Sequence, residues 1–179
     1  GDNAQQYAEL AKAMAHGQLY LEEEPPQWLQ DMADPYDKGA RDEAQKETGE
    51  PYLFDVAYHD GHYYVYFGVV PVVLFYLPFY LLTGANFPTA IGVLIACVAF
   101  VLGCSALLDR FARYHFKRVS LGLYLLLQIP LVTCCGILYL LKFPTFYSLP
   151  IMLGLAFSVW GLYFWMRGRA SAARSTGPE

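Results

Sequence analysis
The amino-acid sequence predicts an all-α integral membrane protein. It orders the chain as an acidic aqueous region with short helices and a hairpin, an aromatic juxtamembrane helix, then three transmembrane helices. Three observations carry that expectation. Hydrophobic residues make up 56% of the 179 and charged residues 16%, where a soluble domain carries about a quarter charged. Charge is also segregated: residues 1–62 hold 14 acidic and 4 basic side chains, residues 63–179 hold 2 acidic and 8 basic. Finally, three uncharged apolar stretches approach the roughly 20 residues that a spanning helix needs. The same figures exclude intrinsic disorder and, at a net charge of −4, a basic nucleic-acid binder.

Residues 1–62 form the aqueous region. Gly1 opens the chain with no Met, signal-peptide run or anchor before it, as expected of a piece cut from a longer protein. Residues 2–16 read as a helix capped by Asp2 or Asn3 and ended by Gly17. Ala4, Tyr7, Ala8, Ala11, Met14 and Ala15 share its apolar face. Leu19-Tyr20-Leu21 is a short extended run stopped by Glu22-Glu23-Glu24-Pro25-Pro26, and Trp28, Leu29 and Met32 suit one or two helical turns. Asp34-Pro35-Tyr36-Asp37 is a turn, and the polar stretch 38–50 is expected as loop or weak helix. Around Asp60-Gly61 the pattern alternates, which is a two-residue hairpin signal.

Residues 63–82 lack charge but carry eight aromatic side chains, with Pro71 and Pro78 seven apart on one helical face. Tyr favours the headgroup level, and each proline frees a carbonyl that needs another partner. The segment is therefore expected as a juxtamembrane or re-entrant helix. Transmembrane helices are expected over 88–108, 119–141 and 149–166. Gly92, Ala96, Ala99, Gly103 and Ala106, and again Gly154, Ser158 and Gly161, recur at helical spacing as close-packing seams. The basic loop 109–118 and the tail 167–179 belong on the cytoplasmic side, with the turn 142–148 opposite. That rule leaves the side of residues 1–62 open, since it depends on whether 63–82 crosses. Cys97, Cys104, Cys134 and Cys135 all lie in apolar runs and read as packing residues.

Chemistry is sparsely marked. There is no phosphate-cradling glycine loop, zinc-protease helix or nucleophile elbow. His59 and His62 flank the hairpin turn and, with Asp55 or Asp60, would suit a divalent cation, although paired histidines on a surface hairpin more often bind nothing. Asp2 by itself is most simply an N-cap.

The run Gly1-Asp2-Asn3-Ala4-Gln5-Gln6-Tyr7, continuing Leu10-Ala11-Lys12-Ala13 to Gly17, resembles the start of the first extracytoplasmic loop of GT-C glycosyltransferases. Protein mannosyltransferases and lipid A aminoarabinose transferases belong to that superfamily. The later run from Asp60-Gly61-His62-Tyr63-Tyr64 through Pro71 to Thr83-Gly84 looks like the juxtamembrane helix of those enzymes. With Pro25-Pro26 and Asp34-Pro35-Tyr36-Asp37, the pattern over 1–118 is similar to a group of bacterial GT-C-like membrane proteins. The resemblance implies a transferase in the bacterial plasma membrane, with residues 1–62 outside. It would move a sugar from a polyprenyl-phosphate donor to an extracytoplasmic acceptor. It implies Asp2 as general base, with His59, His62, Tyr63 and Tyr64 near the lipid phosphate, and leaves the cofactor open between none and a divalent cation. Relatives often carry a charge just before the juxtamembrane proline; here Val69-Val70 precede Pro71, and His62 is the substitute. The alternative class is a non-catalytic membrane scaffold or transporter-like protein, and the absence of charge inside the three stretches disfavours ion-coupled transport.

Overall fold
The structure, a computed structural model, describes residues 5–116 and 118–175, with side chains to residue 169. Asp2, Asn3, Lys117 and residues 176–179 lie outside the described residues. The chain is mostly helical and divides into two compact units, Gly1–Phe87 and Pro88–Glu179.

In the first unit, helix α1 spans Gln6–Ala15 and ends where Gly17 takes a φ of +87°. It is enclosed on more than the expected face: Gln6, Leu10 and Ala13 are buried along with Tyr7, Ala8 and Ala11. A single turn, α2 (Gln27–Gln30), inserts Leu29, which is fully buried. The polar stretch after it is a real helix, α3 (Lys38–Thr48), with none of its residues buried. Its ends account for it. Asp37 accepts hydrogen bonds from the Gly39 and Ala40 amides at 2.9 and 3.2 Å, and Gly49 closes it at a φ of +71°. Arg41 on α3 lies over the rings of Tyr36 and Tyr52, 5.3 Å from each centroid, and its Nε donates to the Pro35 carbonyl.

Strands β1 (Ala57–His59) and β2 (His62–Tyr64) form the expected hairpin. Both turn residues have positive φ, Asp60 at 46° and Gly61 at 77°, as a tight two-residue connection demands. The turn at Asp34 is tied to it, because the Tyr36 hydroxyl donates to the Tyr58 carbonyl and accepts from the Tyr58 amide.

The aromatic helix is shorter than 63–82, since Tyr63 and Tyr64 belong to β2. Its apolar helical part, Val72–Thr83, is about 18 Å long at 1.5 Å per residue, against a hydrocarbon thickness of about 30 Å. It opens with a π-helical turn, Val72–Tyr76, and continues as α4 (Leu77–Thr83). The wide turn immediately precedes Pro78, whose ring would crowd the Leu74 carbonyl in a regular α-helix. Val72 and Tyr76 face inward against α1, with the Tyr7 and Tyr76 rings 5.6 Å apart and the Tyr7 hydroxyl donating to the Phe67 carbonyl. Phe87 folds back to stack on Phe75 and to meet Phe79 edge-on. The opposite side, including Val73, Leu74, Leu81 and Leu82, is exposed and apolar.

Among its described residues the second unit contains two helices long and apolar enough to cross a membrane: α5 (Thr89–His115) and, after two shorter ones, α8 (Ser148–Ser175). The 27 residues of α5 run past the apolar stretch because Arg113 pairs with Asp109 one turn back, at 2.9 Å to each carboxylate oxygen. The expected span 119–141 is not one helix. Helix α6 covers Leu121–Thr133, with Ser120 as a side-chain cap, and α7 covers Ile137–Lys142. Between them Gly136 has a φ of +73°, a left-handed conformation that ends one helix before the next begins.

Packing in this unit centres on α5 against α8. The seam expected on α5 is used: Gly92, Ala96 and Gly103 are buried together with Val93 and Phe100. The small residues of α8 are not its counterpart, because Gly154, Ser158 and Gly161 are exposed. Helix α8 instead presents Leu149, Met152, Leu153 and Ala156, and Trp160 donates its indole N–H to the Ala99 carbonyl at 2.9 Å. Large side chains from α8 thus fill the groove left by small ones on α5.

A Cβ at Gly103 would sit 3.0 Å from Trp160 Nε1 and 3.1 Å from Val159 Cγ1, whereas one at Gly161 meets nothing within 4 Å. Gly103→Ala should therefore displace Trp160 and destabilise the protein by about 1–3 kcal/mol, while Gly161→Ala should be neutral or stabilising by up to about 1 kcal/mol. Denaturation midpoints in detergent distinguish the two; equal midpoints would disprove the close approach.

Burial, aided by Tyr76, holds the Tyr7 hydroxyl well above its ordinary pKa of 10.0. Unfolded tyrosine ionises first, so this stabilisation is complete below pH 10 and declines as pH rises above it. Tyr7→Phe should make that alkaline decline shallower. At neutral pH it should cost no more than about 1 kcal/mol, for one lost hydrogen bond. Urea unfolding followed from pH 8 to pH 11 (about the phenol range) measures both.

Candidate functional site
The hairpin register pairs His59 with His62, Tyr58 with Tyr63 and Ala57 with Tyr64. Because side chains alternate along a strand, His59, His62 and Tyr64 share one face and Tyr58 and Tyr63 the other. The histidines are thus neighbours, as the sequence suggests, but they have different surroundings. His59 is open to solvent, with Nε2 at 3.4 Å from an Asp60 carboxylate oxygen. His62 is stacked on the Tyr20 ring, 4.0 Å between centroids and 18° from parallel, and Tyr64 meets the same ring edge-on at 6.2 Å. Tyr20 is therefore the platform that orients His62 and Tyr64 together.

Tyr63 is separated from these three. It is 1% exposed, and its carbonyl accepts the Leu21 amide at 2.8 Å, which joins the 19–21 run to the hairpin. Burial raises the pKa of its hydroxyl, partly offset by the neighbouring Leu53 backbone. Of the four residues assigned to a lipid phosphate, only His59, His62 and Tyr64 share a surface. Among the described residues no group of three or more His, Cys, Asp or Glu is placed to hold a metal ion.

A second feature was not marked in the sequence. At the start of α1 a hollow of about 180 Å³ is lined by Gln5, Gln6, Glu9, Leu21, Glu23 and Leu53. Gln6 is 2% exposed; its amide nitrogen donates to the Phe54 carbonyl at 3.2 Å, while Oε1 is buried without a hydrogen-bond partner. Glu9 is bonded to Lys12 at 2.9 Å. The polar residues at this hollow are two glutamines and two glutamates; the carboxylates and the Gln6 oxygen are acceptors suited to a ligand that donates hydrogen bonds. A glutamine on an alanine-rich helix ordinarily reads as solvent-facing. The signal that would have exposed it is the spacing of Gln6, Leu10 and Ala13, a second face overlapping the one read from Tyr7 and Ala11.

Asp2, the residue assigned to general-base chemistry, lies outside the described residues. His16, at the far end of α1, is held 2.5 Å from a Glu22 carboxylate oxygen and plays its part in closing the loop that returns to Leu21. Comparison with protein-family models, with curated proteins and with solved structures finds no match for the chain.

Proposed function
We propose that the chain is the N-terminal catalytic portion of a GT-C-type membrane glycosyltransferase, moving a sugar from a polyprenyl-phosphate donor to an extracytoplasmic acceptor. The observation that carries the reading is the part-polar hollow at the start of α1, a helix that begins four residues after Asp2 in the sequence. In the reaction, Asp2 takes the proton of the acceptor hydroxyl as its oxygen attacks the anomeric carbon with inversion. The bond to the phosphate oxygen breaks and polyprenyl phosphate departs. The departing negative charge needs a cation, for which His62, oriented on Tyr20, is the candidate with His59 beside it. The exposed apolar side of Val72–Thr83 suits the lipid chain of the donor.

In this reading residues 1–62 and 142–148 lie outside a bacterial plasma membrane, and 109–118 and the tail lie in the cytoplasm. The chain crosses at 88–108, through the broken α6–α7 pair, and again at 149–166. The short length of Val72–Thr83 supports it, since about 18 Å of helix is too short to cross the hydrocarbon core and suits the interface. Single cysteines in a cysteine-free background test the arrangement. With an impermeant reagent on intact cells, cysteines at Glu47 and Phe143 should label and one at Tyr114 should not. The reverse pattern would overturn the topology.

Asp2→Asn tests the chemistry in the full-length protein. Helix α1 begins at Gln6 with Gln5 in its cap position, so this isosteric change at position 2 should leave expression and thermal stability intact. Transfer from the lipid-linked sugar should fall by at least about a hundredfold. Asp34→Asn and Asp60→Asn, at a turn and a hairpin tip, should lose far less. Undiminished turnover in Asp2→Asn would remove the general base and favour a non-catalytic scaffold.

A further inference from the structure
Where α5 passes into α6, two hollows adjoin. One, about 360 Å³, is almost wholly apolar, with Leu108 and Phe111 of α5 on one side and Leu123 and Leu127 of α6 on the other. Its neighbour, about 330 Å³, is more polar and contains Asp109 and Arg113. Phe116, Arg118, Val119 and Tyr124 line both, so Arg118 stands where the apolar space meets the polar one.

The charges at this place are unequal in their commitments. Arg113 is held by both oxygens of Asp109, and the two neutralise each other. Arg110 and Arg118 have no carboxylate partner among the described residues, and Arg118 is exposed. The apolar stretch of α5 ends at Asp109. In a bilayer, the apolar hollow therefore falls at acyl-chain depth and Arg118 at the level of the headgroups. A guanidinium presents forked donors that match phosphate geometry, and its charge repels the ammonium of a zwitterionic headgroup.

From this juxtaposition we infer a binding site for one anionic phospholipid of the surrounding membrane, its acyl chain between α5 and α6 and its phosphate on Arg118. The Tyr124 ring closes the boundary between chain and headgroup, held there by its hydroxyl donating to the Ser105 carbonyl at 3.2 Å. The site is independent of the transferase reading, since it needs only that α5 lies in a membrane.

The test uses the full-length protein extracted from vesicles of phosphatidylcholine containing equal minor amounts of phosphatidylglycerol and phosphatidylethanolamine. Native mass spectrometry reads which lipid stays bound. One phosphatidylglycerol per chain should be retained over phosphatidylethanolamine by about fivefold or more. Arg118→Gln should abolish that preference, and Arg167→Gln, just past the apolar stretch of α8, should not. Leu127→Trp, which fills the apolar hollow, should lower retention of both lipids. Soluble glycerol phosphate should not displace the bound lipid. Equal retention of the two lipids by the unaltered protein, or an unchanged preference in Arg118→Gln, would overturn the proposal. Displacement by glycerol phosphate would reduce it to an anion site without a lipid chain and would overturn it too. Arg118 is exposed, so its substitution leaves folding intact and decides the matter if Leu127→Trp misfolds.

Discussion
A backbone that runs through apolar surroundings must satisfy its own amides and carbonyls, because water is not there to do it. That constraint decides where helices in this chain continue and where they stop. Helix α5 continues for 27 residues without proline or left-handed glycine. The stretch after Ser120 carries Pro130 inside α6 and reaches a left-handed Gly136, and it divides into two helices there. Before Pro78 the chain solves the same problem differently, by widening one turn into a π-helix. In each case a local covalent feature, a missing N–H or an absent Cβ, dictates the break, and packing accommodates it.

Packing follows a second rule, complementarity of size. On α5 small residues leave a groove, and α8 fills it with Leu149, Met152, Leu153 and the Trp160 indole. The first unit works the other way. There Tyr7 is the large side chain, fully buried on the short α1, and the Val72–Thr83 helix, the Phe67 carbonyl and Tyr76 assemble around it. Enclosing so short a helix on nearly every side draws Gln6 into the interior. The same enclosure creates the hollow at the start of α1 and leaves the Gln6 side-chain oxygen buried beside it.

The two proposed ligand sites share a physical logic: an apolar wall beside a small number of polar groups. At the start of α1 they include the Gln6 oxygen and the Glu9 and Glu23 carboxylates, so a partner that donates hydrogen bonds fits. Between α5 and α6 the uncommitted group is a guanidinium, so the fitting partner is an anion with a hydrocarbon chain. Neither site depends on the other, and they differ in sign of charge as well as in surroundings.

Composition and charge segregation by themselves established a mostly helical protein with long apolar helices after an acidic region. Turn chemistry established the hairpin at Asp60-Gly61 and the helix stop at Gly17, because each is a local requirement on φ that few residues meet. Local signals were also present for α3, in the Asp37 cap and the Gly49 stop, although its polar sequence left helix and loop equally open. Other features were decided only by tertiary contacts. Hydropathy counts apolar residues without regard to backbone breaks, so 119–141 looked like one span. Small-residue spacing marked both α5 and α8, yet only α5 uses its seam, because one small face needs a large one opposite. The strand alternation that unites His59, His62 and Tyr64 on one face turns Tyr63 inward, and which face is buried depends on Leu21 arriving from elsewhere in the chain. Gln6 is the clearest instance: its polarity says surface, and only the closure of the chain around α1 makes it a buried acceptor.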